Sequence, residues 1–166
     1  MFRNRVCQKL YEEHAAVQAL LQRLEQAVAK QRDDVPDVKD PLLAKLMIDL
    51  ASELPGEVDR HFDFEEAELF SFLAEAGNAG IGAHLTYEHS IIRPIGAALV
   101  KLIKEVRGQG FNAASWAEFR KHGQQLVMTL APHAHKEDMA LLPMLEDAMD
   151  EAKEEELYEK YVLQHA

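Results

Sequence analysis

HFDFEEAELF, residues 61–70, and HAHKEDMALL, residues 133–142, are the stretches on which the reading of this chain turns. Each opens on a histidine, places a glutamate four residues later (Glu65, Glu137) and closes on two large apolar residues. One constant offset carries His61 to His133, Glu65 to Glu137 and Leu69 to Leu141. Residues four apart share one face of an α-helix, so each stretch reads as a helix presenting a histidine and a glutamate side by side. Further upstream, LYEEHAAV (10–17) has a counterpart in LTYEHSII (85–92), which aligns Leu10 with Leu85 and His14 with His89. The chain therefore reads as two helical hairpins. Each gives one histidine from its first helix and a His-x-x-x-Glu pair from its second.

The apolar pattern around these stretches supplies the fold. Leu10, Val17, Leu20, Leu21, Leu24 and Val28 recur at helical spacing, predicting a first helix from Arg5 to about Arg32. Asp40 before Pro41 is an N-cap followed by proline in the first turn. It opens a second helix that reaches the breaker at residues 77–80, with a kink or brief interruption expected at Pro55 and Gly56. A third helix is predicted from about Ala83 to Val106, closing at Gly108 and Gly110 and bending at Pro94. Asn112 caps a fourth, with bends expected at Pro132 and near Pro143. The tail from Asp150 to Gln164 reads as a short acidic helix whose Leu157, Tyr161 and Val162 dock on the bundle or on a second copy, so a homo-oligomer stays open. No stretch alternates apolar and polar residues, and the connections are short. The expected fold class is all-α: an antiparallel up-down-up-down four-helix bundle with a short C-terminal helix. Residues 1–166 are expected to form a single domain, the bundle spanning about 5–148 and the last helix about 150–164.

Composition narrows the function classes. With 166 residues, 48% of them hydrophobic and 28% charged, the chain is a globular domain rather than a disordered or low-complexity segment. A formal charge of -11 disfavours nucleic acid and anionic membrane surfaces as partners. The single cysteine, Cys7, excludes an internal disulfide or a cysteine-built zinc or iron–sulfur site and suits a reducing compartment. The opening residues turn charged too quickly for a secretory signal, and no apolar run is long enough to span a bilayer, so a cytoplasmic location is expected.

One His-x-x-x-acid spacing is weak evidence where acids fill 29 of 166 positions. Its matched placement in two hairpins is stronger, because His14, His61, His89 and His133 with Glu65 and Glu137 can then face one another. Imidazole suits iron, zinc, copper and nickel, and a carboxylate can bridge two cations. Buried together without cations, the two glutamates would repel and raise each other's pKa.

These residues resemble the hemerythrin-like, or HHE cation-binding, family. The resemblance covers roughly residues 10–145 and rests on His14, the His61/Glu65 pair, the Glu88–His89 dipeptide, the His133/Glu137 pair and the closing Leu141–Leu142–Pro143. It implies a non-haem centre of two iron ions, bridged by two carboxylates and an oxo or hydroxo group. Such a centre binds or reacts with dioxygen, nitric oxide or peroxide. The terminal ligands would be His14, His61, His89 and His133, with Glu65 and Glu137 bridging, and zinc or manganese accept the same donors. Oxygen carriers of the family add a fifth histidine through a His-x-x-x-His pair on the third helix. Here His84 stands five residues before His89, about 140° around a regular helix, so it ligates only if that helix start is distorted. With two histidines per iron, a small ligand would reach both ions, which suits nitric oxide binding, sensing or reductive chemistry better than reversible oxygen carriage. On the fourth helix Asp138 satisfies the family's alternative spacing, and alignment with Glu65 favours Glu137.

The remaining titratable residues read more plainly. Glu13 and Glu88 point about 100° away from the histidines they precede and are expected as solvated charges. Surface positions are expected for His122, His135 and His165. Tyr11 and Tyr87 belong to the site's edge or to the core, Phe62, Leu69, Phe70, Leu141 and Leu142 to the core, and Cys7 is inert. No catalytic residue is assigned. Iron buffering or delivery without redox turnover is the competing function, and a helical interaction module without metal is a third. A ferritin-like carboxylate oxidase is disfavoured, because none of the four histidines has a glutamate three residues before it.

Overall fold

The computed structural model describes residues 1–30 and 34–164, and every regular element among them is helical. Helix α1 is Arg5–Lys30, and α2 occupies 41–75. Helix α3 is Ala79–Gln109, α4 occupies 113–148 and α5 is Glu151–Gln164. The expected end of the first helix at Arg32, and His165, lie outside the described residues.

Capping residues start the helices as their chemistry requires. The Asp40 carboxylate accepts from the Leu43 backbone N–H at 3.1 Å, and the Asn112 side chain accepts from Ser115 N–H at 2.8 Å while the Ser115 hydroxyl accepts from Asn112 N–H. Gly77 (φ 92°) and Gly110 (φ 82°) take left-handed conformations where α2 and α3 end.

Two boundaries differ from expectation. Helix α3 begins at Ala79 rather than Ala83, because the left-handed turn at Gly77 ends the preceding helix and frees residues 79–82 to wind at once. Gly82 inside that first stretch lets α3 approach α2: a Cβ there would lie 2.8 Å from the Phe70 Cβ. Pro55 and Gly56 do not interrupt α2. The helix instead widens into π-winding over Gly56–His61, returns to α-form at Phe62–Phe64, widens again over Glu65–Leu69 and finishes as α-helix at Phe70–Glu75. Helix α4 likewise runs through Pro132, carries a π-segment at Glu137–Leu141 and ends in Leu142–Ala148. A wider turn accommodates an extra residue without breaking the helix.

Contacts between helices pair rising residue numbers with falling ones. On α1 and α4, Asn4 N–H meets Glu146, Gln18 donates to the Ala131 carbonyl, and Leu24 and Val28 abut Gly123. On α2 and α3, Val58 lies against Gly96, Glu66 against His89 and Phe70 against Gly82.

The core divides into two apolar clusters. One gathers Leu21, Leu24, Leu50, Leu99, Ile103, Phe119 and Leu126 among others. The second contains Val6, Leu10, Leu69, Leu85, Leu141 and Leu145 and takes in Leu157 and Tyr161 of α5, while Val162 is exposed. On each of α1 to α4 a histidine stands where one cluster gives way to the other: His14 between Leu10 and Val17, His61 between Val58 and Phe64, His89 between Leu85 and Ile92, His133 between Leu130 and Leu141. No described helix is long and apolar enough to cross a membrane.

Candidate metal centre

Two π-segments begin at the glutamates of the quoted stretches, Glu65 and Glu137, with the carbonyl of each accepting from the backbone N–H five residues on, at Phe70 and Leu142. Both carboxylates are thereby delivered between the two apolar clusters, where each residue of His14, His61, Glu65, His89, His133 and Glu137 is 2% exposed or less.

Their donor atoms converge as two groups with two members in common. His14, His61, Glu65 and Glu137 offer atoms all within 4.8 Å of one another, and so do Glu65, His89, His133 and Glu137. The Nε2 atoms of His14 and His61 are 3.3 Å apart, and those of His89 and His133 are 3.1 Å apart. Glu65 Oε1 lies 3.4 Å from His61 Nε2 and 3.5 Å from His89 Nε2. Glu137 Oε2 lies 3.8 Å from His14 Nε2, and its Oε1 closes on His133.

A second ring of carboxylates holds the outer edges of the imidazoles. His14 Nδ1 bonds to Asp138 at 2.5 Å, His89 Nδ1 to Glu66 at 2.7 Å and His133 Nδ1 to Glu88 at 2.8 Å. His61 Nδ1 stands between Glu57 at 3.3 Å and Glu13 at 3.4 Å. Glu13 in turn accepts from the Tyr161 hydroxyl of α5. Glu13 and Glu88 are thus not the solvated charges expected of them. Each points away from the histidine that follows it and toward a histidine on a neighbouring helix. Asp138 sits on the outer nitrogen of His14, outside both donor groups, and the side chain of His84 is 53% exposed, beside Lys136 Nζ at 2.9 Å. His135 is exposed and His122 half-buried, Tyr87 is exposed, and Tyr11 packs edge-on to Phe2.

Glu57 and Glu66 were not singled out from sequence, and Tyr161 was expected only as a docking residue of the tail. Glu57 carries a legible signal, since it stands four residues before His61 just as Glu65 stands four after. Glu66 and Tyr161 carry none, because their partners belong to other helices.

The electrostatics show which charge the site favours. Burial alone would drive protons off the histidines, but the carboxylates outweigh it: His61 is held well above the usual imidazole range by Glu57 and Glu65, and His89 is raised to about 9 by Glu137, Glu65 and Glu66. Burial would raise Glu65, yet the charge of His61 and the neighbouring donors hold it well below the usual carboxylate range. Positive charge is therefore demanded at the centre. With the Nδ1–H of His14, His89 and His133 directed at outer carboxylates, a neutral imidazole turns its Nε2 lone pair toward the facing ring across each Nε2···Nε2 contact. All four oxygens of Glu65 and Glu137 are buried without a hydrogen bond. A proton answers one ring nitrogen. A metal ion would answer both nitrogens and the carboxylates at once. The donor set fits metal cations.

Phe62 stacks on His89 with ring centroids 3.7 Å apart and meets His133 edge-on, while Phe70 stacks on His89 from further out. These rings wall the centre from water.

Among protein families, the model described as hemerythrin HHE cation binding domain matches residues 7–145. No curated protein and no solved structure matches the chain.

Proposed function

We propose that this chain, which belongs to the hemerythrin HHE cation-binding domain family, is a non-haem diiron protein for dioxygen, nitric oxide or peroxide. The observation that carries this reading is the sharing of Glu65 and Glu137 by two histidine pairs. His14 and His61 would hold one ion, His89 and His133 the other, and the two glutamates would bridge them. When bound, such a pair supplies redox change and open coordination for a small exogenous ligand.

The chain's own residues do the rest. Asp138, Glu66 and Glu88 fix the tautomer and ring orientation of the histidines they bond and strengthen each Nε2 as a donor. Phe62 and Phe70 exclude water. The exposed position of His84 supports a count of two imidazoles per ion, and hence ligand access at both, over reversible oxygen carriage. Burial of all six donors supports retention of metal over buffering or delivery. The scaffold for this centre is proposed to be one domain, an up-down-up-down four-helix bundle closed by α5, as the opposed running of the α1/α4 and α2/α3 contacts supports.

Metal analysis of protein purified without added metal, with optical spectra under air and under nitric oxide, tests this. Two irons per chain and a spectrum that nitric oxide alters are expected. Zinc alone, or no spectral response, contradicts it. Loss of metal to a chelator within seconds would favour delivery instead.

A further inference from the structure

The internal repeat sets up a comparison within the molecule, because it extends to the outer carboxylates. Glu13 and Glu88, equivalent under the alignment of His14 with His89, approach His61 and His133. Glu66 and Asp138, equivalent under the alignment of His61 with His133, bond to His89 and His14. Three positions beside those acids break the repeat: Arg93 aligns with Gln18, Lys136 with Phe64, and Glu57 with Thr129.

The breaks all act in one direction. Around His89 and His133 both outer carboxylates are met by a cation, Glu66 by Arg93 Nη2 at 3.0 Å and Glu88 by Lys136 Nζ at 2.6 Å. Around His14 and His61, among the described residues, no lysine or arginine pairs with Asp138 or with the buried Glu57. Gln18 gives its amide to the Ala131 carbonyl instead, and Phe64 is buried against Tyr161.

We infer that the two cation positions are unequal: the one held by His14 and His61 fills first, and Arg93 and Lys136 weaken the one held by His89 and His133. This rests on the two-ion reading above. A carboxylate on the outer nitrogen makes an imidazole a better donor and lowers the local potential felt by a cation. A guanidinium or ammonium on that same carboxylate takes back part of both effects. Arg93 lies over the Phe62 ring that stacks on His89, and it meets Asp63 at 2.9 Å as well as Glu66, so what it takes from Glu66 is only part of its charge.

Anaerobic calorimetric titration of metal-free protein with Co2+, followed in parallel by cobalt absorption, tests the inequality. Wild type is expected to bind two ions in resolved phases whose dissociation constants differ roughly tenfold or more. Arg93→Gln with Lys136→Gln, the first restoring the residue type of the repeat-equivalent position, should tighten the weak phase and narrow the gap. Lys136→Gln alone should move it the same way by less, and guards against a folding defect from loss of Arg93. Asp138→Asn should weaken the tight phase, His14→Ala should abolish it, and His133→Ala should abolish the weak one. Two ions of equal affinity in wild type, a gap unmoved by removing Arg93 and Lys136, or loss of the tight phase in His133→Ala would each overturn the inference. Equal uptake of two ions leaves the dinuclear reading standing. Uptake of none overturns both.

Discussion

Two regions of this molecule are held by different physics. Around Leu24, Leu50, Ile103 and Phe119 the buried contacts are aliphatic and aromatic, with Phe111, Trp116 and Phe119 in mutual ring contact and the Arg23–Asp49 pair at the surface. That region needs nothing beyond burial to be stable. Where His14, His61, His89 and His133 meet Glu65 and Glu137, the same helices bury six ionisable groups and leave four carboxylate oxygens without hydrogen bonds. Such a layer is costly unless a cation completes it. The difference teaches that the apolar region is scaffold while the layer of histidines and glutamates is built to receive a cation, and that the stability of that layer belongs partly to its ligand.

Metal removal should break the two regions apart most strongly. An ion present at a thousand times its dissociation constant contributes about 4 kcal/mol, so stripping two should lower Tm by ~15 °C or more for a chain of this size. Hydrogen exchange should rise in residues 57–70 and 133–142 and stay slow in 99–106 and 116–126. Equal loosening in both regions would mean that the centre does not act locally. The mirror experiment is Phe119→Ala, at a fully buried position. It should cost ~3–5 kcal/mol in loaded and metal-free protein alike while leaving metal content unchanged.

A smaller effect is read from pH. In the metal-free protein the His89 imidazole is raised to about 9 by its carboxylate partners, so its contribution to stability is complete below the ordinary histidine pKa of about 6.5 and disappears as pH climbs through 9. Thermal melts in chelator should therefore show Tm declining across that window. Loaded protein should lack the decline, because metal and protons compete for the same nitrogens. A metal-free Tm that rises over the same range would contradict this. The smallest effect is expected from Asn112→Ala at the start of α4, about 1 kcal/mol from a lost cap and no change in metal binding.

Local chemistry was legible in the sequence and cross-helix chemistry was not. Asp40 and Asn112 announced their helices because capping involves residues within one turn. The repeat placed His14 with His89 and His61 with His133, since period and spacing are properties of the chain itself. Glu13 and Glu88 were misread for the complementary reason. Their angle to the neighbouring histidine was right, but each serves a histidine on the other helix of its own hairpin, as the Glu13–His61 and Glu88–His133 contacts show. At Pro55 the α-form does give way, but to π-winding from Gly56 rather than to a break, and the π-segments at Glu65 and Glu137 carry no proline that announces them. Tyr161 could not be paired with Glu13 until α5 was seen to fold back on α1.

Anomalous diffraction at the iron edge, on crystals of protein grown in iron-replete cells, most directly tests the convergence of these donors. Two peaks are expected, one against the Nε2 atoms of His14 and His61 and one against those of His89 and His133, with Glu65 and Glu137 touching both. A single peak, or none with the imidazoles still buried, would contradict it.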